Sequence, residues 1–240
     1  MDLKEEDILG TAINTHWYYV SKGEAILSLL GNARFDEVID VGAGSGVFSR
    51  RLLDNNTAET AVCVDPYYPE EKDEFYHGKL LRFVHEYSDC TPQLVLMMDV
   101  LEHVEDDLAL LKKYTEGLAS GSYVLVTVPA FRFLWSGHDL FLGHHRRYTL
   151  QQTEALLRAA GLDVVKGRYY FAALFPLIAL LRWVSHFKLY AKSEEPKSDL
   201  RLLPSWLNHL LIAIHHVERW LLFPINRLAG LSVCCLARKI

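Results

Sequence analysis

The glycines at positions 42, 44 and 46, with the carboxylate before them, are the first residues whose spacing could bind a ligand. Residues 38–41 predict a strand, and residues 47–53 have the apolar spacing of a helix. Glycines at a turn from strand to helix let the backbone approach a ligand without a clash from Cβ. We therefore expect a nucleotide-like ligand beside the sequence Asp40-Val41-Gly42-Ala43-Gly44-Ser45-Gly46.

A second carboxylate stands where it could hold a ribose. Asp65 follows Gly46 by 19 residues, at the end of the apolar run 61–64. A carboxylate there can accept hydrogen bonds from both hydroxyls of an adenosine ribose. The dinucleotide fingerprint needs glycine at position 47, where this chain has Val47, so the pattern disfavours a nicotinamide cofactor. A nucleotide-dependent oxidoreductase of similar topology remains an alternative.

The string that follows the fourth apolar run gives the chain a family resemblance. Residues 94–98 are followed by Asp99-Val100-Leu101-Glu102-His103-Val104. Together with the glycine loop and Asp65, this string resembles the class I S-adenosylmethionine-dependent methyltransferases. The resemblance implies S-adenosylmethionine as cofactor and in-line methyl transfer that leaves S-adenosylhomocysteine. It also implies these cofactor-binding residues: His16, Asp40, Gly42, Ala43, Gly44, Gly46, Asp65, Pro66, Ser88, Asp99, Val100 and Leu101.

Two further segments resemble a branch of these methyltransferases that has an apolar carboxy-terminal segment. One is His16-Trp17-Tyr18-Tyr19, and the other is residues 131–148 after the fifth strand. By that likeness, residues 16–18 form part of a lid over the cofactor, and residues 131–148 form the acceptor pocket. An eighteen-residue loop without clear secondary structure is long for a compact domain, which favours a functional role.

Ionisable side chains near these segments are the candidates for catalysis. A histidine can accept the proton of an acceptor hydroxyl during methyl transfer, and Arg146 or Arg147 could hold an anionic group of the substrate. The plainer alternatives are packing roles for Trp17, Trp135 and Tyr148, and a solvated face for the two arginines. The predicted catalytic residues are His103, His138, His144, Arg146 and Tyr148.

The spacing Asp99-x-x-Glu102-His103 also permits a metal site. Some methyltransferases hold a divalent ion beside the acceptor oxygen with an acid, a Glu-His pair and a further histidine. The same string is common in family members that need no metal, where the glutamate caps or pairs within the fold. We therefore predict no metal ion.

Alternating strands and helices must position these residues. Capping-box patterns at Ser21/Glu24 and at Thr149/Gln152 predict two helix starts, and Gly161 predicts a helix end. The alternation predicts an α/β, Rossmann-like, doubly wound sheet with a helical insertion before the last strand. With the resemblance, we expect seven strands, mostly parallel with the last antiparallel. Residues 1–240 then form a single class I methyltransferase domain, and residues 171–228 form an apolar, basic helical insertion.

Composition excludes several classes of protein. Half of the 240 residues are apolar, 23% are charged and the net charge is −5, which excludes a disordered or collagen-like chain. A pI near 6.1 gives no basic field for nucleic acid, so no nucleic-acid partner is expected. The four cysteines form neither a CxxC pair nor a zinc spacing. The acidic start lacks an apolar signal region. We expect reduced thiols and a cytoplasmic protein.

The helical insertion has an unusual balance of charge and apolar residues. Residues 167–240 carry a net charge of +6, whereas residues 1–166 carry −11. The longest uncharged runs, of 13 and 16 residues, fall short of the roughly 18–20 residues that span a bilayer. Apolar helices with Trp183, Trp206 and Trp220 could lie in a membrane interface, form a homodimer surface or pack as core. The acceptor that we favour is a small molecule or a lipid-linked molecule, with the protein at the inner face of the membrane. A non-catalytic module that binds S-adenosylmethionine or docks on a membrane is the other alternative.

Overall fold

A mixed sheet of eight strands organises the part of the chain that the computed structural model describes, which is residue 5 and the ranges 8–87, 92–188 and 198–240. The strands lie in the order β3-β4-β2-β1-β5-β6-β8-β7. Their bounds are β1 (Phe35–Val41), β2 (Ala58–Val64), β3 (Lys72–Tyr76), β4 (Lys79–Val84), β5 (Leu94–Met98), β6 (Tyr123–Pro129), β7 (Leu162–Tyr170) and β8 (Ser232–Lys239).

The strand directions confirm the predicted α/β class. Strands β4, β2, β1, β5 and β6 run parallel, whereas β8 is antiparallel to both of its neighbours. The structure adds one strand, β3, to the seven that were expected. This edge strand has the polar sequence KDEFY, so it lacks the apolar run that marks the others. His77 and Gly78, both with positive φ, form the two-residue turn that pairs it with β4.

Seven α-helices and three short 3-10 helices join the described strands. Alternate side chains of β1 point to opposite faces of the sheet, so Val38 packs in the cluster with Phe48 and Leu52, and Ile39 packs in the cluster with Leu111 and Leu157. The α-helices are α1 (Trp17–Leu30), α2 (Val47–Asp54), α3 (Asp107–Thr115), α4 (Gly137–Leu142), α5 (Leu150–Ala159), α6 (Phe175–Lys188) and α7 (Ser205–Leu221). The 3-10 helices are Gly10–Asn14, Leu101–His103 and Arg132–Leu134.

The first long helix begins earlier than the capping-box pattern predicts. Helix α1 starts at Trp17, and Ser21 lies buried inside it. A residue distant in sequence caps the start, because the Trp17 N–H donates to Oδ1 of Asn208 in α7 at 2.8 Å. The Asn208 amide nitrogen also donates to the Thr15 carbonyl at 2.9 Å. A cap provided by tertiary contact leaves no local sequence signal, so the local Ser21/Glu24 pattern was misleading. The other predicted box, at Thr149 and Gln152, is confirmed.

Residues 131–148 are more ordered than the expected irregular loop. They contain the 3-10 helix Arg132–Leu134 and the helix α4. A capping box of Ser136 and Asp139 begins α4, with aspartate in the place that glutamate or glutamine usually takes. The segment therefore presents side chains from fixed helical positions.

Helices α6 and α7 occupy the chain between β7 and β8, and a buried carboxylate anchors them. Glu218 in α7 accepts hydrogen bonds from the backbone N–H groups of Ala172 (2.7 Å) and Ala173 (3.1 Å) and from Nδ1 of His215 (2.9 Å). The His215 ring stacks on Trp17 at 5.4 Å. These contacts tie α7 to both α1 and the segment that leads into α6. None of the helices in the described ranges combines the length and the apolar character needed to cross a membrane.

Candidate active site

A cavity of about 590 Å³ lies at the carboxyl ends of β1, β5 and β6, where open parallel sheets bind their ligands. The glycine loop, the segment after β5, and the helices α1, α4 and α6 all contribute to its wall. The cavity volume is within the range of about 300–1,000 Å³ that is usual for small-molecule sites. The structure therefore gathers three separately predicted segments around one space.

The glycine loop fits a ligand that contacts the backbone. Gly42 has a φ of +66°, and a Cβ on it would lie 2.8 Å from Cγ2 of Val100. Gly46 has a φ of +73°, and a Cβ there would lie 3.1 Å from Sγ of Cys63. Side chains at either position would strain the loop or close it against its neighbours. Gly42 and Ala43 line the cavity, as does the buried Asp40 at the end of β1. The loop therefore requires glycine at both positions, and its first part forms one wall of the cavity.

Asp65 lies beside the loop and is buried. Its Oδ2 accepts a hydrogen bond from the Gly44 N–H at 3.3 Å, and its Oδ1 accepts one from the Tyr67 N–H at 3.0 Å. Tyr68 also closes on the loop, since its hydroxyl donates to the Gly44 carbonyl at 2.7 Å. Asp65 and the exposed Pro66 stand outside the lining of the cavity itself, and Ser88 lies outside the described residues.

Asp99, at the end of β5, has a buried cation as its partner. It accepts hydrogen bonds from the fully buried Lys22 ammonium, from the Tyr18 hydroxyl at 3.0 Å and from the Thr127 hydroxyl at 3.1 Å. Burial alone would raise the pKa of Asp99, but the Lys22 charge and these hydrogen bonds hold that pKa below its ordinary value. Asp99 has a φ of +54°, so the backbone leaves β5 sharply here, and Val100 meets the glycine loop.

Lys22, the buried partner of Asp99, is a residue that the sequence pattern did not reveal. The Ser21/Glu24 pattern placed it at a helix start, whereas it lies four residues after Tyr18 inside α1. A signal for this pair was present in the sequence. Lys22 shares a helix face with Ala25, Ile26 and Leu29, which are buried. Because lysine is almost never fully buried unless it is paired, a lysine on such a face predicts a buried anionic partner.

The lid residues are only partly at the cavity. Trp17, Tyr18 and Tyr19 line it. His16 does not, and instead its Nε2 donates to the Arg201 carbonyl at 3.3 Å. Burial lowers the pKa of His16, which keeps the ring neutral near pH 7.

Glu102, His103 and His144 meet in the wall of the cavity. One ligand-capable atom from each lies within 4.8 Å of those of the other two. The His103 and His144 rings contact edge to face, with centroids 4.5 Å apart. Burial and the nearby charge of Asp99 raise the pKa of Glu102 well above its ordinary value.

His144 is held in one orientation by Asp139. Nδ1 of His144 donates to Oδ1 of Asp139 at 2.8 Å, so in the neutral ring Nε2 presents a lone pair. Arg147 donates to both oxygens of Asp139, at 2.7 and 3.0 Å. Burial would raise the pKa of Asp139, but the hydrogen bonds from His144 and Arg147 hold it well below its ordinary value. Asp139 therefore remains an anion that orients His144.

The other predicted catalytic residues occupy different places. His138 lines the cavity, and its Nδ1 accepts from the Asp199 N–H at 3.2 Å. Burial lowers the pKa of His138. Arg146 and Tyr148 lie outside the lining and share Asp107 as a hydrogen-bond acceptor, at 3.1 and 2.8 Å. Of the two arginines, it is Arg147 that reaches the cavity.

Apolar side chains of α4 and α6 complete the wall. Phe171, which precedes α6, also lines the cavity, and Arg182 at its rim is paired with Asp199. The sequence predicts α6 within the helical insertion and gives no indication that α6 lines this cavity. The apolar lining residues of this part of the wall are Leu134 in the 3-10 helix before α4, Leu142 in α4, Leu174 just before α6, and Ile178 and Leu181 in α6.

Comparison with known proteins agrees with this architecture. Residues 16–166 match the family described as "Methyltransferase domain". A SAM-dependent methyltransferase from Archaeoglobus fulgidus is 17% identical, with 99% of this chain and 98% of that chain covered and a TM-score of 0.53. Phosphoethanolamine N-methyltransferase 2 from Haemonchus contortus, solved in complex with S-adenosyl-L-methionine, is 15% identical over 91% of this chain and 52% of that chain, with a TM-score of 0.52. No curated protein sequence matches this chain.

A third solved structure has the same fold and a different name. The [4+2]-cyclase SpnF is 15% identical over 91% of this chain and 79% of that chain, with a TM-score of 0.55. Identities this low establish the fold alone. The family match is independent of them and extends over more than half of the chain. The chain belongs to the methyltransferase-domain family, and its cofactor is S-adenosylmethionine, as the glycine loop and the string after β5 predicted.

Proposed function

We propose that the protein transfers a methyl group from S-adenosylmethionine to a hydroxyl group of an apolar acceptor, either a small molecule or a lipid-like one. One observation carries the proposal. The same 590 Å³ cavity is lined by the glycine loop, by the ionisable group of Glu102, His103 and His144, and by apolar side chains of α6. A cofactor-binding wall, a polar reaction region and an apolar wall are the three parts that such a transfer needs.

The chemistry requires few catalytic side chains. S-adenosylmethionine supplies a methyl group on a sulfonium sulfur, and its displacement in line by the acceptor oxygen leaves S-adenosylhomocysteine, a methyl ether and a proton. The chain must hold the acceptor oxygen in line, exclude water and promote loss of the hydroxyl proton. The apolar side chains of α4 and α6 support the first two tasks, and the ionisable group supports the third.

The residues around the cavity divide these tasks. In this proposal the glycine loop and Asp65 bind the cofactor, and the Lys22–Asp99 pair fixes the turn after β5 that borders it. His144 presents its Nε2 lone pair to the cavity because Asp139 holds the opposite nitrogen. His138 has the reverse tautomer, since its Nδ1 accepts from a backbone N–H, and its protonated Nε2 is suited to donating a hydrogen bond to the acceptor.

The apolar wall predicts how the acceptor is recognised. We expect 4-alkylphenols of increasing chain length to bind progressively more tightly in the presence of S-adenosylhomocysteine. Each methylene that the wall buries contributes about 0.8 kcal/mol, which is about fourfold in affinity. Isothermal titration calorimetry measures the affinities, and the transfer of a labelled methyl group to the same phenols tests the reaction.

Two matched variants locate this recognition. Ile178→Asp places a charge in the cavity wall and should remove the dependence on chain length, whereas Leu210→Asp alters an exposed position of α7 outside the lining and should preserve it. Affinities that do not change with chain length would contradict the apolar acceptor. Binding of cofactor and phenols with no transfer to any acceptor would instead support the non-catalytic module.

An apolar stripe on α7 supports docking of the protein on a membrane surface. Trp206, Leu210, Val217, Trp220 and Leu221 are all exposed, and their spacing places them on one side of the helix. Residues 167–240 also carry a net charge of +6, in contrast to the rest of the chain. Tryptophan beside basic residues is typical of helices that lie in an anionic membrane interface. We propose that this stripe contacts the inner face of the membrane and thereby brings the cavity close to an apolar acceptor.

Vesicle sedimentation tests the docking. We expect binding to phosphatidylcholine vesicles that contain phosphatidylglycerol, with weaker binding to pure phosphatidylcholine and at high salt. Trp206→Ser combined with Trp220→Ser should weaken the partition coefficient at least about tenfold, because two aromatic side chains lose their burial. Phe75→Ser removes an exposed aromatic residue from β3 and should leave partitioning unchanged. The proposal would be contradicted if the protein formed a dimer that buries the stripe and did not bind to vesicles.

A further inference from the structure

Two buried side chains of the cavity wall carry polar atoms that the described residues leave unsatisfied. Glu102 is fully buried, and neither of its carboxylate oxygens has a hydrogen-bond partner within the described ranges. The same holds for Nε2 of His144, which lies 4.0 Å from Oε1 of Glu102. Buried polar atoms in native proteins nearly always have a partner. Facing each other across this gap, the two groups indicate a bound species between them.

His103 completes a set of three donors around this gap. One atom from each of Glu102, His103 and His144 lies within 4.8 Å of the other two. Ligand atoms stand about 2.0–2.2 Å from a Zn²⁺ ion, so two ligands of one ion are at most about 4.4 Å apart. Small side-chain rotations would therefore bring the three atoms to coordination distance.

The hydrogen bonds behind His144 resemble those that usually support metal-binding histidines. The nitrogen of His144 that faces away from the gap donates to Asp139, and Asp139 accepts from Arg147 and from the Ser136 N–H at 2.8 Å. A carboxylate in this position fixes the tautomer and strengthens the opposite nitrogen as a ligand. Asp139 thus fixes the orientation of His144 so that the Nε2 lone pair points toward the Glu102 carboxylate.

We propose that Glu102, His103 and His144 bind one divalent transition-metal cation of the Zn²⁺ or Co²⁺ type. Two imidazoles and one carboxylate suit such ions better than Mg²⁺, which prefers oxygen ligands and retains its water. The donor set keeps the Glu-His pair and a further histidine of the arrangement considered from the sequence, but it lacks Asp99, which is paired with Lys22. The inference also departs from the expectation of no metal ion.

The role of the cation in methyl transfer rests on the proposed function, whereas the proposal that these residues bind a cation does not depend on that function. All three donors line the cavity, and three protein ligands leave coordination positions open on that side. A cation there would lower the pKa of an acceptor hydroxyl and orient its oxygen. The hydroxyl proton would pass to solvent, and an oxygen lone pair would form the bond to the methyl carbon as the bond from that carbon to the sulfonium sulfur breaks, with its electron pair left on the sulfur of S-adenosylhomocysteine. With the cation bound, His103 and His144 act as ligands and not as bases.

Cobalt binding tests the site without any methyl transfer. Tag-free protein is stripped with chelator, dialysed and titrated with Co²⁺ while its visible absorption and binding heat are recorded. We expect one Co²⁺ per chain, with visible bands that Zn²⁺ abolishes as it displaces the cobalt. His103→Ala, His144→Ala and Glu102→Gln should each weaken Co²⁺ binding at least about tenfold, since second-layer changes alone typically cost about 10–100-fold.

His138→Ala is the matched control, since it removes a histidine from the same cavity but not from the donor set. It should retain the full cobalt spectrum. Circular dichroism of each variant establishes that it is folded, and the half-buried His103 is the position where substitution disturbs packing least. Absence of a stoichiometric Co²⁺ complex, or undiminished binding in folded His103→Ala and Glu102→Gln, would overturn the site. Cobalt binding without methyl transfer would leave the site standing and would count against the proposed function alone.

Discussion

Lys22→Met should lower the free energy of unfolding by about 3 kcal/mol at neutral pH. Methionine keeps most of the length of the side chain, but it leaves the Asp99 carboxylate without the buried ammonium that now pairs with it. Removing one partner of a buried ion pair costs about 3–5 kcal/mol. The lower end applies because a quarter of the Asp99 side chain is exposed. Chemical denaturation followed by circular dichroism measures the change.

The pH dependence of this variant gives a second signature. Burial is the largest influence on the pKa of Asp99 and acts to raise it, so we expect that pKa to rise when Lys22 is removed and the charged carboxylate to oppose folding at neutral pH. Protonation then relieves that cost, and the stability difference between the variant and the natural chain should stay constant above the raised pKa and shrink as pH falls through it toward the ordinary value of aspartate. A difference that stays constant with pH would assign the loss to packing.

Two further variants isolate the ion pair. Lys22→Met combined with Asp99→Asn removes both charges and should recover part of the lost stability. Lys113→Met breaks the exposed pair between Lys113 and Glu86 and should change stability by less than about 1 kcal/mol. Equal losses from Lys22→Met and Lys113→Met would refute the special role of the buried pair.

Asp65→Ala should weaken S-adenosylmethionine binding at least about thirtyfold. The carboxylate is expected to accept ribose hydroxyls, and hydrogen bonds to a charged group contribute about 1.5–3 kcal/mol each. It also accepts from the Gly44 and Tyr67 N–H groups, so its removal also loosens the glycine loop. Calorimetric titration with S-adenosylmethionine and S-adenosylhomocysteine measures the loss, and NADH serves as a ligand that should not bind.

Matched substitutions separate recognition from folding. Asp65→Asn keeps one carbonyl oxygen as an acceptor and should fall between the natural chain and Asp65→Ala. Asp163→Ala removes an exposed carboxylate from β7 and should leave affinity unchanged. If folded Asp65→Ala binds the cofactor as the natural chain does, the ribose is held by other groups.

The sequence by itself determined the α/β class, the parallel strands and the position of the glycine loop after β1. Strands that are buried on both faces of a parallel sheet appear in the sequence as continuous apolar runs. The glycine loop and Asp65 appear as a fixed spacing. Both signals are local, because the residues that form each of them are close together along the chain. The same local logic found the capping box at Thr149 and Gln152. The sequence pattern did not predict β3, because an exposed edge strand needs no apolar run.

Tertiary structure decided the rest of the cavity wall, because the contacts that form it join residues far apart in sequence. Asn208 caps α1 from a position 191 residues away, Lys22 finds Asp99 across 77 residues, and α6 forms a cavity wall that its composition does not distinguish from core. Arg146 and Arg147 are adjacent and chemically alike, yet only Arg147 reaches the cavity and Asp139. Which of two such neighbours faces a site depends on the path of the backbone around it, and long-range packing sets that path.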